Sequence, residues 1–267
     1  MNWKMNVLRI ALGVEYDGSG FRGWQSQQEG VRTVQSCLET ALGRVANHPV
    51  RTVCAGRTDA GVHAINQVAH FDTQAQRSPH SWVMGANSNL PAEISVRWAL
   101  PVSDRFHARF SAVARRYRYV ILNRPCRSAL YRQRAAWYYK PLNAEKMQEA
   151  GRLLLGEHDF SAFRGPHCQA KSPVRCLTVL EVTRQGDLVI LEASANAFLH
   201  HMVRNIVGVL LAIGSGDRPV PWALEVLAGR DRTLGGVTAP PEGLHLLSVS
   251  YPEEFGLPEA SSVLWLG

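Results

Sequence analysis

The sequence predicts an α+β protein of two ferredoxin-like (βαββαβ) domains with mostly antiparallel sheets, joined across a central cleft. Three observations carry that expectation. Residues 1–104 read as strand, helix, two strands, helix and strand; residues 105–267 repeat the order; and Pro, Ser and Asp break the periodicity at Pro101–Asp104. With 267 residues and 46% hydrophobic content, the chain can fill two cores of ordinary size. The halves show no residue-level repeat, so the likeness is one of pattern.

In the first half, Leu8, Ile10, Leu12, Val14 and Tyr16 alternate with less apolar neighbours, the signature of a strand with one buried face. A glycine-rich loop (Gly18, Gly20, Gly23) follows. Val34, Cys37, Leu38, Ala41, Leu42 and Val45 then form a helical stripe, with Thr33 as its N-cap. Strands at Arg51–Ala55 and Asn66–Asp72, a helix near Ser81–Asn89 and a strand at Ile94–Leu100 complete this half. In the second half, Ala112–Leu122 reads as a long strand and Asn143–Leu155 as a helix closed by Gly156. Strands Leu177–Arg184 and Leu188–Ala195 flank a hairpin turn at Gln185-Gly186-Asp187. A helix at His200–Ile213, another from Pro221-Trp222, and a closing strand at Leu244–Tyr251 end the pattern.

Charge narrows the class of partner. The net charge is +7, and 25 of the 29 basic residues are arginine, whose planar fork pairs phosphate and stacks on bases. From Arg105 to Ala144 there is no Asp or Glu, while nine arginines (105, 109, 115, 116, 118, 124, 127, 132, 134) and Lys140 alternate with eight aromatic residues. Such a segment would repel itself unless it faced a polyanion, and its rings offer flat surfaces to unstacked bases. Tyr117, Tyr119 and Ile121 share one strand face; either tyrosine can be a base platform or a core residue with its hydroxyl at a rim. The five cysteines form no C-x-x-C pair, which excludes a zinc ribbon or a disulfide framework. No signal core follows Lys4, and the apolar run Val207–Ile213 is too short for a bilayer. A reducing, aqueous compartment is expected, most simply the cytoplasm, with no membrane partner.

Chemistry is expected in the loop Ala55-Gly56-Arg57-Thr58-Asp59-Ala60-Gly61-Val62-His63-Ala64. Two glycines allow tight turns around a cation and an anion, a setting for a preorganised carboxylate. A plain turn in which Asp59 caps its own backbone is the alternative. His63 and the pair His200-His201 raise the question of metal, but ligand spacing is absent and carboxylates are scarce nearby, so no metal is expected. Arg204 sits amid Val203, Ile206 and Val207, where its stem is expected to be buried and its guanidinium to need an anion, unless it snorkels to the surface.

These residues resemble the tRNA pseudouridine synthase A family. The likeness rests on Gly56-Arg57-Thr58-Asp59-Ala60-Gly61-Val62-His63-Ala64, Phe21-Arg22-Gly23-Trp24-Gln25, Phe106-His107-Ala108-Arg109-Phe110-Ser111-Ala112, Arg116-Tyr117-Arg118-Tyr119 and His200-His201-Met202-Val203-Arg204-Asn205, in that order. Ala239-Pro240 and Gly243-Leu244 extend it to about Tyr251; the tail after Pro252 carries no signature. The resemblance implies conversion of uridine to pseudouridine at positions 38, 39 and 40 of the tRNA anticodon stem-loop, without metal or cofactor. It gives Asp59 the role of the essential aspartate, Tyr117 that of stacking on the target base, Arg57 that of helping to extrude it, and Arg204 that of the aspartate's basic partner. It implies tRNA binding by Arg77, Phe106, His107, Ala108, Arg109, Phe110, His167, Cys168, Gln169, Ala170 and Lys171. It also implies a homodimer in which one tRNA touches both subunits. Two other classes remain to be weighed against it: a non-catalytic RNA-binding protein of tandem ferredoxin-like domains, and a metal-dependent nuclease.

Overall fold

The computed structural model describes residues 7–166 and 168–258. The chain forms two compact units: one runs up to Val113 and resumes at Leu246, the other is Ala114–His245.

In the first unit the elements are β1 (Leu8–Tyr16), α1 (Val34–Ala46), β2 (Val53–Cys54), β3 (His63–Thr73), α2 (Pro79–Asn87) and β4 (Ile94–Val102). The order is βαββαβ, as the hydrophobic pattern predicts. β1 lies between β4 and β3 and is antiparallel to both, with Ile10 facing Phe71 on one side and Pro101 on the other. The short β2 pairs with β3 at Val53↔His70. One expectation changes: β1 is covered on both faces, because Ala11 is as buried as Leu12 and Trp98 lies directly over Gly13. Thr33 caps α1 as predicted, its hydroxyl accepting from the Ser36 N–H at 3.2 Å. Leu38 and Leu42 of α1 are wholly buried, and Phe71 meets Trp82 edge-on at 5.1 Å. Beyond the signature motifs, the chain's return is structural. Phe106 is buried against Tyr251 and Phe255, at 5.1 and 5.3 Å between ring centroids, and the Tyr251 hydroxyl donates to the Ala108 carbonyl at 2.6 Å.

The second unit holds β5 (Ala114–Asn123), β6 (Ala136–Tyr138), α3 (Ala144–Arg152), β7 (Gly156–Asp159), β8 (Val174–Gln185), β9 (Leu188–Ala195), α4 (Met202–Gly214) and α5 (Trp222–Gly229). Its strands run β5-β9-β8-β7, antiparallel throughout. β6 pairs in parallel with β5 and is the exception. β8 and β9 meet in the predicted hairpin, with Gln185 opposite Leu188 and Gly186 at a φ of 57°. Asn143 caps α3, accepting from the Lys146 N–H at 2.8 Å. β6 and β7 were not expected from the sequence. They are three and four residues long, too short to show a period. The closing strand, β10 (Leu244–Ser250), begins in the second unit and enters the first at Leu246. The fold is therefore mixed α+β, mostly antiparallel, with five α-helices among the described residues. None of them is long and apolar enough to cross a membrane.

Candidate active site

The Asp59 loop leaves β2 at Cys54 and enters β3 at His63, so two paired strands fix both of its ends. Between them the chain is braced residue by residue. The Gln67 amide donates to the Gly56 carbonyl at 2.6 Å, and the Thr58 hydroxyl bonds the Tyr16 hydroxyl at 2.8 Å. The Trp24 N–H donates to the Thr58 carbonyl at 3.0 Å, and the Val62 N–H closes a turn on the Asp59 carbonyl at 3.2 Å. Gly61 completes that turn at a φ of 80°, a left-handed conformation suited to glycine. Gly23 packs against the loop's other side at a φ of 88°; a Cβ there would stand 2.7 Å from the Thr58 carbonyl oxygen.

Burial sorts the side chains of this loop. Thr58 and Val62 are buried and Asp59 is half-buried, while Arg57 and Ala60 are exposed. A half-buried aspartate is thus held on a braced backbone, two residues from an exposed arginine. The bonds around it hold the loop's backbone in place. Below the loop, the Gly18 N–H donates to Nδ1 of the buried His63 at 3.1 Å, and Asp17 lies 3.2 Å from the same nitrogen. His63 therefore anchors the neighbouring glycine-rich loop. Burial pushes the Cys54 thiol up to about 12 despite the nearby charges of Arg57 and Arg109, so it is inert at neutral pH.

In the second unit, β5 carries Tyr117 and Tyr119 on one face. Tyr117 is 8% exposed and meets Phe198 edge-on at 5.1 Å. Tyr119 is wholly buried, its hydroxyl donates to the Pro240 carbonyl at 2.7 Å, and burial raises its phenol far above the ordinary value. Tyr119 is a structural residue. Arg204 on α4 is half-buried and bonded in both directions to Ala239: its Nε donates to that carbonyl at 2.7 Å, and the Ala239 N–H donates to the Arg204 carbonyl at 3.1 Å. Its neighbours on the helix suggested a buried stem; the residue is half-buried, with Nε held on a neutral carbonyl.

The other residues predicted to grip RNA fall into three groups. Phe106 and Ala108 are wholly buried and support the loop that presents His107, Arg109 and Phe110. In that loop Nδ1 of His107 accepts from the Arg109 and Phe110 N–H groups, both at 3.2 Å, and its ring stacks on the exposed Phe110 at 4.3 Å. Both acceptor bonds require a neutral imidazole, and burial with the charge of Arg9 holds its pKa below the usual value. Next, Cys168 and Ala170 are half-buried, with Gln169 and Lys171 exposed, in a loop clamped by Arg164, which donates to the Cys168 and Ala170 carbonyls at 2.6 and 3.0 Å. Burial raises the Cys168 thiol, but N–H groups of His200 and Ala170 and the Arg164 guanidinium outweigh it and hold the pKa below the ordinary value. Arg77 stands apart, exposed ahead of α2, with Nε donating to the Val45 carbonyl at 3.3 Å. His167 lies outside the described residues.

The acid-free stretch is less lonely than the sequence implied. Glu192 on β9 takes both Arg116 and Arg118, the latter through Nε at 2.9 Å; Asp187 lies 3.6 Å from Arg124, Asp217 3.2 Å from Lys140, and Glu254 3.7 Å from Arg105. Strand register and loop return bring in acids from other parts of the chain. Local self-repulsion therefore does not by itself demand a polyanion. Tyr16 and Gln67 were not marked by the sequence as braces of the Asp59 loop; a polar glutamine within an apolar strand was the one hint of a buried partner.

Similarity to known proteins fixes the class. Residues 13–111 and 150–252 match the family described as tRNA pseudouridine synthase. The chain is 60% identical over 261 residues to the tRNA pseudouridine synthase A of Alcanivorax borkumensis, covering 97% of this chain and 98% of that one. It is 62% identical over 254 residues to that of Nitrosococcus oceani, covering 95% and 98%, and 56% identical over 253 residues to that of Pseudomonas aeruginosa, covering 95% and 89%. The chain belongs to the tRNA pseudouridine synthase family and is an isomerase.

Proposed function

We propose that this isomerase converts uridine to pseudouridine at positions 38, 39 and 40 of the tRNA anticodon stem-loop, with Asp59 as its catalytic residue. The observation that carries this reading is the braced loop, in which the half-buried Asp59 stands between the buried, hydrogen-bonded Thr58 and Val62.

The reaction sets the requirements. A stacked uridine hides its glycosidic bond, so the base must be flipped out, which costs a few kcal/mol. The N1–C1′ bond then breaks, the base turns, C5 bonds to C1′, and the C5 proton leaves as N1 gains one. Atoms and electrons balance within the nucleotide, so side chains suffice. Asp59 either attacks C1′ or removes a proton from the sugar; deuterium at C2′ separates these, since only the second predicts a primary isotope effect. Arg57, exposed on the same loop, fills the space the base vacates and holds phosphate. Tyr117 supplies the replacement stacking, and Arg204 serves as the basic partner that keeps the carboxylate ionised against desolvation. His107, Arg109, Phe110, Gln169, Lys171 and Arg77 contact the tRNA, on loops fixed by Phe106, Ala108, Cys168 and Ala170. The active form is a homodimer, working in the cytoplasm where its substrate is.

Carbodiimide modification and primer extension on tRNA incubated with the protein test the position. The expected stops mark pseudouridine at 38, 39 or 40 and vanish with Asp59→Asn. Stops confined to another arm would refute the anticodon reading while leaving the isomerase class intact.

A further inference from the structure

Beside the Asp59 loop the first unit has a depression of about 640 Å³, lined by Ser19, Gly20, Phe21, Arg22, Gly30, Val31, Arg32, Ala60 and Gly61. Ala60 and Gly61 directly follow Asp59, so one wall is the backbone of the catalytic loop itself. The opposite wall is fixed by its own hydrogen bonds. The Arg22 N–H donates to the Arg32 carbonyl at 3.0 Å, the Val31 N–H to the Gln28 carbonyl at 3.2 Å, and the Gln27 amide to the Arg22 carbonyl at 3.1 Å.

Two arginines, Arg22 and Arg32, line this space. Arg32 is aimed from two sides: it lies 4.3 Å over the Phe21 ring and donates through Nη2 to Glu93 at 3.0 Å. The ring and the carboxylate orient the fork, and no other side-chain bond is made by its remaining N–H groups among the described residues. Arg22 is exposed and has no side-chain hydrogen bond or ion pair among the described residues. Ser19, Gly20, Gly30 and Gly61 keep the walls small, which lets a bulky anion approach the backbone. Small walls, two lining arginines and the Asp59 loop as one wall suit a phosphodiester and give a flat base nothing to stack on except the already occupied Phe21.

We propose that this depression is a phosphate-binding subsite, in which Arg22 and Arg32 hold the RNA backbone next to the uridine presented to Asp59. The proposal rests on the functional reading above and adds two residues to it. Its use is positional. A strand gripped at the phosphate beside the target can swing the target base without sliding along the enzyme, and recognition through backbone alone is indifferent to the neighbouring sequence.

The test measures binding in an Asp59→Asn background, where turnover does not interfere, using anticodon-arm RNA over a range of salt. Arg22→Gln and Arg32→Gln should each weaken binding about fivefold. Each should also flatten the log–log salt dependence by about 0.7, the share of one phosphate on a single strand. Arg44→Gln, an exposed charge on α1 that bonds Asn89, is the control and should leave the slope as it was. Glu93→Gln separates phosphate contact from support of the loop, because it keeps an acceptor for the Arg32 fork and removes the carboxylate charge. It should leave the salt slope as it was with affinity equal or raised, and a flattened slope matching that of Arg32→Gln would trace the Arg32 effect to the lost ion pair and overturn its role. Methylphosphonate scanning of the RNA closes the case. One neutralised phosphate next to the target uridine should make Arg22→Gln silent; if no position does so, or if the slopes do not change, the subsite is refuted. Turnover of tRNA by the unaltered protein reads the functional assignment separately, since binding slopes survive if that assignment fails.

Discussion

Replacing Gly23 with alanine tests whether the Asp59 loop works because it is rigid. Gly23 has a φ of 88°, where an L residue costs about 1–2 kcal/mol. The new methyl would sit 2.7 Å from the Thr58 carbonyl oxygen, roughly 0.7 Å inside an ordinary 3.4 Å contact. The close atoms, which also include the Ala60 nitrogen and the Asp59 carbonyl carbon at 3.2 Å, are all backbone and cannot swing away, and the Thr58 carbonyl accepts the Trp24 N–H at 3.0 Å. Overpacking of this kind adds about 1–3 kcal/mol, giving a total of about 2–5 kcal/mol. At roughly 2–3 °C per kcal/mol, the melting temperature should fall by about 4–15 °C. The loop must yield by several tenths of an ångström at Thr58, next to the carboxylate. Misplacement of that order lowers turnover by about 10- to 100-fold. Single-turnover assays at saturating tRNA, run well below the melting transition, read the rate; calorimetry reads the stability. A variant that melts early but turns over within twofold of the parent would show that a fixed Asp59 backbone is not required.

Three further outcomes follow from the same geometry. His70 is buried with Nδ1 accepting the Ala108 N–H at 3.1 Å, and burial, then the charges of Arg9 and His107, lower its pKa to about 4. The unfolded chain binds this proton first, so stability should be full above pH 6.5 and fall by about 1–3 kcal/mol as pH drops toward 4. Urea titrations of His70→Asn should show a smaller fall, and an equal one would exclude His70 as its source. Glu192→Gln removes the shared carboxylate of Arg116 and Arg118 and should destabilise the protein by about 1–3 kcal/mol; an unchanged urea midpoint would mean those pairs are solvated in effect. Tyr119→Phe orphans the Pro240 carbonyl and should cost about 1–2 kcal/mol with turnover retained, whereas a selective loss of turnover would give Tyr119 a role at the site.

Much of this was legible because the elements are long. Nine residues of β1, thirteen of α1 and the β8–β9 hairpin span several periods each, and Thr33 announces its helix. What escaped depends on contacts between distant residues. Ala11 and Gly13 do not read as core until Trp98 is placed across the sheet, and β6 exists only because β5 offers it a partner. The basic run looks uncompensated until register sets Glu192 opposite Arg118. At the site, Gly56 to Ala64 marked Asp59, but the braces come from Tyr16, Trp24 and Gln67, and no local pattern connects those residues to it. Phe106 and Ala108 read as part of a run expected to bind RNA, and only the contacts of Phe106 with Tyr251 and Phe255 and the bond from Tyr251 to the Ala108 carbonyl show how the two are held in the fold.

Release of tritium from C5 of labelled uridines tests the central claim most directly. tRNA labelled at that carbon is mixed with excess protein, and label appearing in water is counted alongside a binding measurement on the same samples. The account predicts release by the parent and none by Asp59→Asn, which should still bind the tRNA. Release that persists in Asp59→Asn would contradict the assignment of the reaction to this carboxylate.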